Sequence, residues 1–139
     1  MGGWAGGTGI AGLGRVDRES VRELERRTRT FAIDVVRLTR ALGRDPSLWP
    51  VLSQVARSAG SVSANHLAVA GARSLKELHA KLSIVYEEAA ESAHWLSLLQ
   101  ELGTAGEHRP EVDRLLSEAE RLRNLFGKAR ATTRERLRG

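Results

Sequence analysis

The sequence predicts an all-α fold, an elongated antiparallel four-helix bundle with up-down-up-down connections. Three observations carry that expectation. Four stretches repeat apolar residues at alternating spacings of three and four, capping residues fall at the ends of the stretches, and the composition favours helix over sheet. In 139 residues there are three prolines, no cysteine and only 4% aromatics, with Leu, Ala, Val, Arg and Glu dominant. The length suits one domain with a single core. The absence of cysteine excludes disulfides, thiolate metal sites and thiol catalysis, and fits a reducing cytoplasm.

Residues 1–16 read as a flexible tail, because residues 1–14 hold seven of the 14 glycines and glycine-rich backbone is costly to order. They have neither the basic start nor the apolar stretch of a signal peptide, and no segment approaches a membrane span, so a soluble, cytoplasmic protein without membrane contact is expected. The bundle is predicted over 17–134. Helix 1, about 18–42, carries the stripe Val21, Leu24, Thr28, Phe31, Val35, Leu38, Leu42, with Asp17 as its cap and Gly43 after its last turn. Helix 2, about 48–70, carries Leu48, Leu52, Val55, Ala59, Val62, His66, Val69. Ser47 is its expected cap, placing Pro50 in the first turn, where a missing N–H costs nothing, and Gly71 closes it.

Helix 3, about 74–102, carries Leu75, Leu78, Leu82, Val85, Ala89, Ser92, Leu96, Leu99, opens on a Ser74-to-Glu77 capping box and ends at Gly103. Helix 4, about 109–134, has Pro110 in its first turn and the stripe Val112, Leu115, Ala119, Leu122, Phe126, Ala129, Thr133, before a basic tail over 135–139. The period of 3.5 puts one stripe on one face of each helix and implies near-parallel packing. Short connections then force antiparallel neighbours.

The net charge of +5 is zoned. Residues 18–46 sum to +3, 47–73 to +2, 74–102 to −3 and 103–139 to +3. Within the last zone, Arg121, Arg123, Lys128, Arg130, Arg134, Arg136 and Arg138 against Glu135 give +6. Arg121, Arg123, Lys128, Arg130 and Arg134 of this zone, with Arg22, Arg26 and Arg29 on helix 1, Arg57 and Arg73, are the candidate contacts to RNA or DNA. A single subunit would hold phosphates weakly, and a ring of subunits would multiply the patch. No reading surface of interleaved aromatics is visible, so recognition would be of backbone or shape.

Acidic helix 3, with Glu87, Glu88 and Glu91, set against basic helices 1 and 4 suits a head-to-tail contact between copies; the alternative is an ordinary solvated outside. Trp95 and Tyr86 flank the helix 3 stripe, where they cover the core edge or meet a partner. Ala56, Gly60, Ala64 and Ala68 recur every four residues beside the helix 2 stripe. Small residues at that spacing admit another backbone, either inside the bundle or from a second subunit.

Enzymatic signals are few. Glu91 and His94 form one Glu-x-x-His pair, whereas a di-metal carboxylate bundle needs two such pairs and two further carboxylates. His94 falls off the stripe. His66 lies on its stripe, read as a core or interface imidazole hydrogen-bonded to a neighbour, and His79 and His108 fall at surface-type positions. There is no supported Ser-His-Asp set and no phosphate loop. No catalytic residue, metal or cofactor is expected.

Several segments resemble one family. Leu24-Glu25-Arg26-Arg27-Thr28 with Phe31-Ala32, Gln54-Val55-Ala56-Arg57-Ser58-Ala59, Ser61-Val62-Ser63-Ala64-Asn65-His66, and Arg73-Ser74 with Leu78-His79-Ala80-Lys81-Leu82-Ser83-Ile84, followed by Glu87-Glu88-Ala89-Ala90-Glu91-Ser92 and Trp95-Leu96, are similar to bacterial four-helix-bundle proteins encoded in 23S rRNA intervening sequences. Relatives of that family include the Avd accessory proteins of diversity-generating retroelements. The likeness covers roughly 21–133 and departs from the family at Ala68, usually Glu, and His66, usually aromatic or apolar. It implies a homo-oligomer, commonly a pentameric ring, without catalytic activity, and for the retroelement relatives a basic ring that associates with a reverse transcriptase and nucleic acid. The leading expectation is therefore a ring-forming bundle that binds nucleic acid through its Arg-rich faces. The rivals are an adaptor docking a partner protein on helix 3 and a metal bundle centred on Glu91 and His94.

Overall fold

A computed structural model describes residues 18–103 and 106–139, and the predicted Gly-rich tail and Asp17 cap lie outside them. Four helices are present, α1 (Arg18–Leu42), α2 (Trp49–Ala70), α3 (Leu75–Glu101) and α4 (Arg109–Arg138), with single 3-10 turns over Pro46–Leu48 and Gly106–His108 and no strand among the described residues. Each helix packs most closely on its neighbours in sequence, and α1 touches α4 more sparingly to close the bundle. At 1.5 Å per residue, α3 with its 27 residues and α4 with its 30 are about 40 and 45 Å long. No helix of the described residues is long and apolar enough to cross a membrane.

The core is built from the four stripes. Leu24, Phe31, Val35, Leu38 and Leu42 of α1 meet Leu52, Val55, Ala59, Val62 and Val69 of α2, the Leu78-to-Leu99 series of α3 and Val112, Leu115, Ala119, Leu122 and Phe126 of α4, all buried. Val21, Leu48, Leu75 and Ala129, at or near stripe ends, are partly buried against it. Two residues beside the stripes, Ser58 and Ala93, are buried as well. Ser58 and Ser92 face each other where α2 meets α3, with Ser92 Oγ 2.9 Å from Ser58 Oγ and 2.9 Å from the Glu88 carbonyl, while Ser58 donates to the Val55 carbonyl at 3.3 Å. Small hydroxyls satisfied this way let two helices approach without stranding a polar atom.

The helix ends correct the sequence reading in two places. Asp45, not Ser47, is the capping residue before α2: its carboxylate accepts from the Ser47 N–H at 3.0 Å and the Ser47 hydroxyl at 2.7 Å, opening the 3-10 turn that leads into α2. Trp49 Nε1 donates to the Gly43 carbonyl at 2.8 Å and ties this corner together. At the other end, α4 runs to Arg138, so the tail over 135–139 is largely helical. Elsewhere the sequence signals coincide with the structure: Ser74 Oγ accepts from the Glu77 N–H at 3.0 Å, Pro50 and Pro110 fall in first turns, and Gly103 ends α3 with φ +70°, a conformation that favours glycine.

Candidate nucleic-acid interface

Antiparallel succession brings the start of α1, the end of α2 with its connection, the start of α3 and the end of α4 to one end of the bundle. Cross-helix contacts fix that register. His79 Nδ1 is 2.7 Å from Thr133 Oγ1, Arg130 Nε donates to Ser83 Oγ at 2.9 Å, and the His66 ring lies 5.9 Å from that of Phe126. The segments gathered there, 21–30, 66–81 and 124–139, carry +2, +2 and +4, whereas the remaining residues of the chain sum to −3. A basic pole thus stands against an acidic body, an asymmetry hidden in the overall +5. Such a pole concentrates positive potential where a polyanion can approach without meeting the acidic part of α3.

Of the predicted basic contacts, Arg22, Arg29, Arg73, Lys128 and Arg134 are exposed at this end, and none of their side chains has a hydrogen-bond or ion-pair partner among the described residues. Arg26 is there too, paired locally with Glu23 at 2.6 Å. Arg130 is held more firmly, its guanidinium 5.2 Å from the Tyr86 ring centroid in addition to the bond to Ser83. Tyr86 in turn lies on the α4 backbone, because a Cβ at Gly127 would come within 3.0 Å of its ring. That glycine, unremarked in the sequence, is what lets α3 and α4 close together.

Arg57, Arg121 and Arg123 lie away from the pole. Arg121 bonds Ser117 at 2.9 Å and Arg123 bonds Asn124 at 3.3 Å. Arg57 spans from α2 to α3 and grips both Glu88, at 3.4 Å, and Glu91. The hydrogen bond from Arg57, joined by one from Trp95 Nε1 at 3.2 Å, holds the Glu91 carboxyl below its ordinary range. Two of the three glutamates expected to form an acidic face are therefore engaged within the chain by a single guanidinium, leaving Glu87 exposed. Trp95 is half-buried, with the exposed His94 ring edge-on at 5.0 Å. Among the described residues no three or more His, Asp or Glu side chains cluster to hold a metal ion.

Two histidines depart from expectation. His79, placed on the surface by its spacing, is half-buried against Thr133; because the Thr133 hydroxyl donates to the Arg130 carbonyl at 2.8 Å, its oxygen is left to accept from the imidazole. His66 is buried as its stripe position requires, yet neither ring nitrogen has the hydrogen-bond partner expected of it. Sequence reasoning also missed the clasp between α1 and α4, where Arg27 donates to both oxygens of Glu118 at 2.9 and 3.1 Å and Arg114 bridges Asp34, at 2.8 Å, and Glu111, at 2.7 Å. A cross-helix pair separated by 91 residues leaves no periodic trace.

The small residues of α2 face outward. Gly60 and Ala64 are exposed and Ala56 is half-buried; a Cβ at Gly60 would meet nothing within 4 Å. A tight contact inside the bundle therefore does not explain the stripe. With Ser53 and Leu67, these form an exposed surface on which Arg57 is the only charge of α2.

No curated protein and no solved structure matches the chain. A family model, described as 23S rRNA-intervening sequence protein, matches residues 22–128, about three-quarters of the sequence, from the first turns of α1 into the basic half of α4. With all four helices spanned, the chain belongs to the 23S rRNA-intervening sequence protein family.

Proposed function

We propose that this protein is a non-enzymatic homo-oligomer, a ring of five by the resemblance noted above, that binds RNA or another nucleic acid through the basic pole of each subunit. In this reading it is an accessory to an RNA-processing or reverse-transcriptase system. The observation that carries the reading is the gathering of three basic segments at one end with the side chains of Arg22, Arg29, Arg73, Lys128 and Arg134 exposed and unpartnered among the described residues. Five phosphate contacts give a slope of log affinity on log salt of about −3.5 for a single strand, modest for one subunit. If the copies stand parallel in a closed ring, all poles lie on one face and their contributions combine. The outward, nearly uncharged stripe around Gly60 and Ala64 supports self-association through α2, since a glycine in mid-helix otherwise costs stability without return.

The test is size exclusion with light scattering, read at 260 and 280 nm in low and high salt. The expected result is a particle near five times the 15.2 kDa subunit, or about 76 kDa, with nucleic acid that is shed as salt rises. A 15 kDa particle with protein-only absorbance in both buffers would overturn both parts of the reading.

A further inference from the structure

Among the described residues, His66 is the buried side chain whose polar atoms lack any hydrogen-bond partner. It is 0% exposed, in the last turns of α2, where α1 and α4 meet that helix. A neutral imidazole always carries one N–H, so this site encloses a donor that its surroundings do not use. From α4 it receives the face of Phe126, tilted by 57°. From α1 it receives the Glu25 carboxylate's field and the Val21 carbonyl, which faces the ring without reaching hydrogen-bond geometry. The other ionisable groups of this end are turned elsewhere, His79 to Thr133 and Arg130 to Ser83 and Tyr86, and no charge of α3 or α4, Lys81 included, acts on the ring. Burial keeps the imidazole neutral, outweighing Glu25 and Val21, both of which favour the cation.

A protonated ring cannot remain in this position, because a buried cation needs a paired anion and none is in contact. The negative charge that acts on the ring is that of Glu25, whose side chain is exposed. The path to it lies between α2 and the first turns of α1, which are less deeply buried than the middle of that helix. Val21 is only half-buried, and Leu24 is the most exposed core residue of α1. Among the described residues the first ion pair from α1 to another helix is that of Arg27 with Glu118, so residues 21–26 are held chiefly by apolar contact.

We propose that His66 is an acid-sensitive latch: on taking up a proton the imidazolium leaves the core towards Glu25, and the first turns of α1, residues 21–26, detach from α2 and α4 up to the Arg27 clasp. Arg22 and Arg26 lie on the segment that moves, so acidity reshapes the basic pole whatever that pole binds.

Hydrogen exchange of the full chain at pH 7.5 and pH 5.5, corrected for the intrinsic pH dependence of the amides, tests this. With an imidazole that titrates at its ordinary 6.5 only when released, the opening equilibrium of residues 21–26 should rise about tenfold between these pH values, while the central turns of α3 stay protected. His66→Phe should abolish the rise and Glu25→Gln should diminish it. Nitrogen-15 titration of the wild-type imidazole reads the same event without relying on a variant: the ring should protonate below 6.5, together with shifts in α1 amides. Equal protection of residues 21–26 at both pH values, an undiminished rise in His66→Phe, or protonation at or above 6.5 with α1 still closed would each overturn the proposal.

Discussion

Two mid-helix glycines, Gly60 and Gly127, should respond in opposite ways to one substitution. Replacing a helical glycine by alanine restricts the unfolded chain and gains about 1 kcal/mol when the new methyl meets nothing. At Gly60 the space around a Cβ is empty to 4 Å, so Gly60→Ala should gain that full amount in the isolated subunit. At Gly127 the Cβ would stand 3.0 and 3.3 Å from two carbons of the Tyr86 ring. That ring cannot move freely, since Arg130 is stacked beside it and tied to Ser83. Overpacking of this kind costs about 1–3 kcal/mol, which cancels or exceeds the gain, so Gly127→Ala should be neutral or destabilising by up to about 2 kcal/mol. Urea unfolding at concentrations low enough to keep the chain monomeric measures both, provided the m-values agree. In thermal terms Gly60→Ala should raise the Tm by about 4 °C. A Gly127→Ala variant stabilised as much as Gly60→Ala would refute the close approach of α3 and α4 at Tyr86.

Other outcomes follow from the polar contacts. Arg27→Met breaks the two-oxygen bond to Glu118 across α1 and α4, whose side chains are 32% and 19% exposed; a loss of about 1 kcal/mol is expected, and the gap to wild type should narrow in high salt. Arg57→Met frees Glu91, so its carboxyl should climb towards 4.5 in an NMR titration. Because that pKa is depressed in the fold, the contribution of the pair is present above pH 4.5 and vanishes as pH falls through the folded value, so wild type and variant should converge in acid. His66→Leu removes an unmet buried donor and should stabilise the bundle by about 1 kcal/mol at pH 7.5. Since burial lowers the His66 pKa, wild type should lose up to about 1.4 kcal/mol per pH unit below 6.5 while the leucine variant does not, as urea midpoints at several pH values would report.

The bundle was legible because its determinants are local. The residues from Leu52 to Val69, or from Leu78 to Leu99, state their buried face by spacing alone, and Ser74, Pro50, Pro110 and Gly103 mark ends through the backbone groups that each can or cannot supply. Asp45 was overlooked because a cap can act through a 3-10 turn one step before the helix, where two acceptable capping residues stand within three positions. Relations between helices were less legible. Arg57 with Glu91 and Arg27 with Glu118 look, in one dimension, like members of a basic set and an acidic set, and only the register of α2 on α3 and of α1 on α4 turns them into pairs. The zoning of charge by helix was visible, but its concentration at one end required the antiparallel order to be combined with position along each helix. His66 shows the converse: the stripe located it in the core, while the lack of any partner could be seen only once α1, α3 and α4 were in place around it.

The basic pole is tested most directly by the salt dependence of RNA binding in matched variants. Arg73→Gln with Arg134→Gln removes two charges at the pole; Arg40→Gln with Arg44→Gln removes two from the opposite end. Fluorescence anisotropy with a labelled RNA at several salt concentrations should show the first pair losing affinity and about 1.5 units of salt slope per subunit engaged, with the second pair close to wild type. Equal losses from both ends, or a slope unmoved by the pole variants, would contradict the assignment of nucleic-acid binding to this end of the bundle.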